Sequence, residues 1–281
     1  MSEDSLPLDG LPPADRTLLV SPPLELAVAE VRFSSKELEL PPDSGLRLYE
    51  RLNQLGLAFA KIDPMQQHRI QVNFAQGLPL SPTANAVAQG WQLHGVDGKY
   101  QVTLTPGAIA LHTTQYHRWS ETMRPKLETI LAAAAELFEP VLVSRLGLRY
   151  VDRFVDLEAK SPRWWVGRIN EFMLGPVSHS ELGPRVKSAQ QQIEIVLGTA
   201  QGALIRHGPI ADPAANGSTS YFLDIDMFDL EPQRFDPTSL VDKLEVLNRS
   251  AASLFQLVLE QDYLRTLQAA ETTSPVVGAD R

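Results

Sequence analysis

One stretch constrains this chain more than any other: Val141 to Asp156, reading VLVSRLGLRYVDRFVD. Taken at every second residue, Leu142, Leu146, Leu148, Tyr150 and Phe154 fall on one side. Arg145, Gly147, Arg149, Val151 and Arg153 fall on the other. An extended strand sorts residues this way, because successive side chains point to opposite faces. The apolar side must lie on a core. The arginine side needs anionic partners, a ligand or water.

The segments around it supply that core. Leu24, Leu26 and Val28 alternate in a first strand over Leu24 to Ser34, entered through Pro22 and Pro23. Asp43 or Ser44 caps a helix carrying Leu48, Leu52 and Leu55 and stopped by Gly56. Arg69 to Phe74 reads as a strand with Ile70, Val72 and Phe74 inward. GWQLHGV and KYQVTLT flank Asp97-Gly98, a hairpin signal, and Pro106-Gly107 turns the chain into AIALHTTQY, completing a three-strand meander. A helix opens near Ser120 or Pro125, with Leu127, Ile130, Leu131, Ala134, Leu137 and Phe138 on one face, and stops at Pro140.

The second half repeats the plan more loosely. A helix is predicted over Pro162 to Leu174. A hairpin joins Gln191 to Leu197 with Ala203 to Arg206, and the loop ADPAANGSTS leads to a strand over Tyr221 to Phe228. Asp236-Pro237 then starts the strongest helix, Asp as N-cap and Pro first in the helix, running to Leu267. Two halves of strand, helix, antiparallel strands and long helix predict an α+β fold with one mainly antiparallel sheet and helices on one face. The arrangement expected is TATA-binding-protein-like, with a helix-grip fold as the alternative. The halves are 18–157 and 158–268, fused into one domain between a disordered lead-in, 1–17, and a disordered tail, 269–281.

Composition narrows the function. The chain has 281 residues, 43% apolar and 21% charged, and no cysteine, which removes disulfides, thiolate metal sites and cysteine nucleophiles together. Its N-terminus has no basic segment followed by an apolar one, and no apolar run approaches the ~20 residues that span a bilayer. A cytoplasmic location without membrane contact is expected. A net charge of −9 argues against a general nucleic-acid binder, whose affinity comes from neutralising phosphates.

The candidate binding residues follow from charge placed on strands. Arg145 and Arg149 flank Gly147, leaving a hollow where an acidic side chain or a ligand carboxylate or phosphate fits a guanidinium fork. The bland reading is a cross-strand ion-pair ladder continued by Arg153. In YFLDIDMF, Asp224 and Asp226 share a face ~7 Å apart; pairing with the arginines, or with Glu30 and Arg32 of the first strand, competes with a shared metal. Tyr116 and Trp119, where a strand hands over to a helix, read as packing anchors or as the wall of a cleft. Trp164-Trp165 buries at most one ring fully. No histidine pair has ligand spacing, and no Walker loop, GxSxG or GxGxxG is present. No metal, cofactor or catalytic residue is assigned.

PPLELAVAEVRF, GWQLHGVDGKYQVTL, QYHRW, RLGLRYVDR and FLDIDMF occur in this order and together resemble a sporadically distributed family of uncharacterised bacterial proteins. The resemblance covers most of residues 20 to 265, and RLGLRYVDR is its most specific part. It implies a dispensable or mobile role such as defence or toxin neutralisation. The function expected is therefore a non-enzymatic binding protein with a protein partner. The alternative is a binder of, or enzyme acting on, a small anionic ligand near Arg145, Gly147 and Arg149.

Overall fold

The computed structural model describes residues 6–8, 10–34, 40–71, 74–75, 78–79 and 83–269, of which those from 66 to 89 are described by their backbone alone. Its strands are β1 (Leu24–Phe33), β2 (Phe59–Gln71), β3 (Phe74–Ala75), β4 (Leu78–Pro79), β5 (Thr83–Gly95), β6 (Tyr100–Thr105) and β7 (Ala108–Thr113), then β8 (Leu142–Phe154), β9 (Gln191–Val196), β10 (Gln201–Asp212), β11 (Ser218–Asp229) and β12 (Gln233–Arg234). Its α-helices are α1 (Ser44–Gln54), α2 (Arg124–Phe138), the four-residue α3 (Glu171–Leu174), α4 (Pro237–Val258) and α5 (Gln261–Gln268). Apart from the small β3-β4 pair, the strands form one sheet in the order β2-β5-β6-β7-β1-β8-β11-β10-β9, with β12 also on β8. Every pairing is antiparallel.

The order explains why β8 matters. It pairs with β1 on one side and β11 on the other, so it joins the strands of the first half to those of the second. β1 is followed by strands of which β7 returns to its outer side, and β8 by strands of which β11 does the same. The coarse expectation of an α+β fold with a mainly antiparallel sheet is met.

The core lies under one face of this sheet. Ala27, Ala29 and Val31 of β1, Leu146 and Leu148 of β8, and Leu223, Ile225 and Met227 of β11 point into it. Leu48 and Leu52 of α1, Leu127, Ile130 and Leu131 of α2, and Leu240, Val241, Leu244 and Leu247 of α4 close it from below. Asp236 caps α4 as expected, its carboxylate accepting from the Ser239 N–H at 2.8 Å. Asp43 and Ser44 provide no such side-chain cap for α1.

Several local expectations need correction. A register shift between Arg32/Arg145 and Phe33/Val143 places Val143 in the core and leaves Leu142 44% exposed, so the apolar periodicity of β8 breaks at its first turn of pleat. Residues Pro162 to Leu174 do not form one helix: a 3-10 turn over Pro162–Trp165 gives way to extended Val166 and then Gly167, whose φ is +78°, before α3 begins. Trp165 and Ile169 are both completely buried, and Ile169 is tied by a bridge to Leu259. The same bridge ends α4 at Val258 rather than Leu267, and α5 continues in a new direction.

The described residues up to Val20 run along α4 and reach α5 as a strap. The Leu8 N–H donates to Ser250 Oγ at 2.9 Å, the Asp15 N–H to Gln256 Oε1 at 2.8 Å, and Val20 N–H to the Leu267 carbonyl at 2.8 Å. Leu8, Leu11 and Leu19 pack against the core. The expected inward positions of Val72 and the tail beyond Ala269 lie outside the described residues, as do the side chains of Ile70 and Phe74.

Candidate functional site

The two faces of β8 carry two different polar systems. On the face away from the described helices the arginines meet carboxylates from both neighbouring strands. Arg149 grips Asp224 with two prongs, Nε to Oδ1 at 2.7 Å and Nη2 to Oδ2 at 2.9 Å, and Arg206 adds a third bond at 3.1 Å. Arg145 donates to Glu30 at 3.0 Å and to Asp226 at 2.9 Å, while Arg32 donates to Glu30 at 2.6 Å. Arg153 donates to Glu25 at 3.1 Å and lies 2.7 Å from Asp212.

Gly147 explains how Arg145 reaches so far. A Cβ there would sit 2.1 Å from Arg145 Nη1, so the guanidinium crosses the strand over the missing side chain. The hollow expected for a ligand carboxylate or phosphate is therefore filled from within, and both flanking arginines are spent on Asp224, Asp226 and Glu30. Those same pairs occupy the two aspartates considered for a metal, and among the described residues no three His, Asp or Glu side chains are placed to hold one. The face is a register-fixing ladder of complementary charge.

The other face has a cavity of about 650 Å³ between β8, α4, the turn at Trp119–Met123 and the N-terminal strap. Tyr150, Asp152 and Ile225 border it from the sheet, Asn248 and Phe255 from α4, and Tyr116 from the link after β7. Trp119 and residues 13–19 of the strap also border it. Tyr116 and Trp119, taken from sequence as packing anchors or a cleft wall, are brought together here; Trp119 is buried and Tyr116 half-buried. The other eight candidates lie on the ladder face.

Asp152 is the unusual member. It shares the pleat of Leu148, Tyr150 and Phe154, faces Leu24 and Leu223 across the strands, and is only 4% exposed. Among the described residues no hydrogen bond or ion pair reaches its carboxyl group. Burial, reinforced by Asp224 and then Glu25, pushes its pKa from 3.8 up to about 8, so at neutral pH it holds a proton and can donate.

Next to it, Tyr150 and Tyr116 share one partner. Their hydroxyls lie 2.8 and 3.1 Å from Asn248 Oδ1, and their rings meet edge to face at 5.4 Å. Burial holds the Tyr116 pKa up at about 12 and raises that of Tyr150 well above its ordinary value, so both keep their protons. Farther along α4, Glu245 joins Arg249 at 2.8 Å and also pairs with Arg124 of α2, bracing the two helices beside the cavity.

Asp152, Tyr150 and Asn248 were not among the sequence candidates, although two carried a signal. Asp152 interrupts the apolar column of β8, and Asn248 interrupts the stripe of Leu244, Leu247 and Ala251 on α4. A polar residue at a core-facing position is the informative exception. No protein-family model matches the chain, and no curated protein matches it in sequence.

Proposed function

We propose that this protein binds a small organic molecule, apolar over most of its surface, in the cavity between β8, α4 and the strap. The observation that carries this reading is the carboxyl group of Asp152, buried at the cavity wall without a partner among the described residues. Leaving such a group unpaired costs folding free energy that an apolar residue would not. Titratable groups shifted this way concentrate at functional sites. The volume falls within the ~300–1,000 Å³ of small-molecule sites, and an apolar wall with a few convergent polar groups is their usual lining.

The test uses N-phenyl-1-naphthylamine, a neutral fluorophore that brightens in apolar surroundings. Saturable one-to-one binding is expected, lost on Ala252→Trp, which places an indole at the exposed α4 wall of the cavity while the thermal midpoint stays unchanged. Unsaturable binding, or binding indifferent to the indole, would overturn the reading.

A second reading keeps a protein partner, in a defence or toxin-neutralising role, on the ladder face. It draws on the described helices all packing against the opposite face, and on a strand order whose symmetry supports a TATA-binding-protein-like saddle. Charge reversal at two partly exposed ladder positions, Arg32→Glu with Arg206→Glu, should release a stoichiometric protein captured by the wild type. Retention of that protein by the double variant would argue against the ladder face.

A further inference from the structure

The polar end of the cavity has a hydrogen inventory that selects among ligands. Asn248 brings two amide hydrogens and Tyr116 and Tyr150 bring one hydroxyl hydrogen each. The two links among these three groups consume two of the four. Both hydroxyls donate to the Asn248 carbonyl oxygen, so the two amide hydrogens remain. No hydrogen bond among the described residues takes them up.

Asp152 lies one pleat from Tyr150 on the same face of β8 and borders the same cavity. We propose that the ligand, on the cavity reading above, carries an uncharged oxygen acceptor, a ketone or comparable carbonyl, that docks between the Asp152 carboxyl group and the Tyr116–Asn248–Tyr150 cluster. A protonated carboxyl adds a further donor to the surplus. An ammonium group would meet those hydrogens head on, and a hydrocarbon would leave them all unpaired.

The charges around Asp152 determine how this is read out. Glu25 of β1 and Asp224 of β11 act on it through the sheet. On the cavity side Tyr116 and Tyr150 stay protonated, and Glu245 and Arg249 offset one another. Asp15, Arg16, His117 and Arg118 border the cavity from the strap and the turn. Because these side chains line the same cavity, an Asp152 variant is the control.

Three shape-matched probes decide the matter by calorimetry: 2-acetylnaphthalene, 2-ethylnaphthalene and 1-(2-naphthyl)ethylamine. At pH 6.5 the ketone should bind at least about tenfold more tightly than either other probe, because its loss leaves buried donors unpaired. Its affinity should fall as pH rises past 8. In Asp152→Asn, whose carboxamide still donates, the preference should survive and the fall with pH should vanish. Equal binding of ketone and hydrocarbon would overturn the carbonyl assignment and leave the cavity reading standing, as would an amine preference that strengthens with pH. Failure of all three probes to bind the folded wild type would sink the cavity reading itself.

Discussion

Replacing Asp152 by Asn should make the protein more stable than wild type by an amount that grows with pH. The folded chain holds this proton up to about pH 8, whereas the ordinary carboxyl value is 3.8. Between those values the unfolded chain has lost a proton that the folded chain keeps, so the unfolded state binds fewer protons. Wild-type stability then falls as pH rises, by about 1.4 kcal/mol per unit from this group. Asn has the same shape and no titration. From pH 6.0 to 8.0 the variant should gain about 2 to 3 kcal/mol on the wild type, levelling off above about pH 8. Urea unfolding followed by tryptophan fluorescence at half-unit steps measures it, in a window clear of the pI near 5.2. A gap constant to within about 0.5 kcal/mol across the window would mean that Asp152 ionises as it does in water, and the account of a buried, protonated carboxyl would fail.

Other substitutions probe the rest of the framework. Arg149→Leu leaves Asp224, 1% exposed, with Arg206 alone; it should cost about 2 kcal/mol in urea unfolding, and adding Asp224→Leu should recover most of that. The imidazole of His207, buried against the Tyr221 hydroxyl at 2.8 Å, has its pKa lowered by burial from 6.5 to about 4. Its NMR shifts should stay flat from pH 8 to pH 5, and the stability tied to its neutral form should decline as pH falls from 6.5 towards 4. Asp236→Ala removes the N-cap of α4 and should cost about 1 kcal/mol by the same unfolding assay.

The period-two column of β8 was enough to place Leu146, Leu148, Tyr150 and Phe154 on a core and the arginines opposite, because alternation is a property of an extended backbone and needs no partner. Asp236-Pro237 marked the start of α4 for a similarly local reason. The end of that helix was not local: the bridge between Ile169 and Leu259 stops it, across a separation that no periodicity records. Gly147 was legible as a gap between arginines. What fills the gap, the guanidinium of Arg145 reaching to Asp226, depends on β11 lying beside β8.

By itself the sequence determined the fold class, the polarity of the central strand's faces and the start of the longest helix. These follow from the geometry of one element at a time. The strand order, the strap along α4 and the cavity were decided by tertiary structure, since Asp152, Tyr116 and Asn248 stand far apart in the chain and become neighbours only when helix and sheet close on each other. A carboxyl that would be ordinary in water becomes a proton donor there for the same reason: its surroundings come from other elements, and the charge it can carry depends on them.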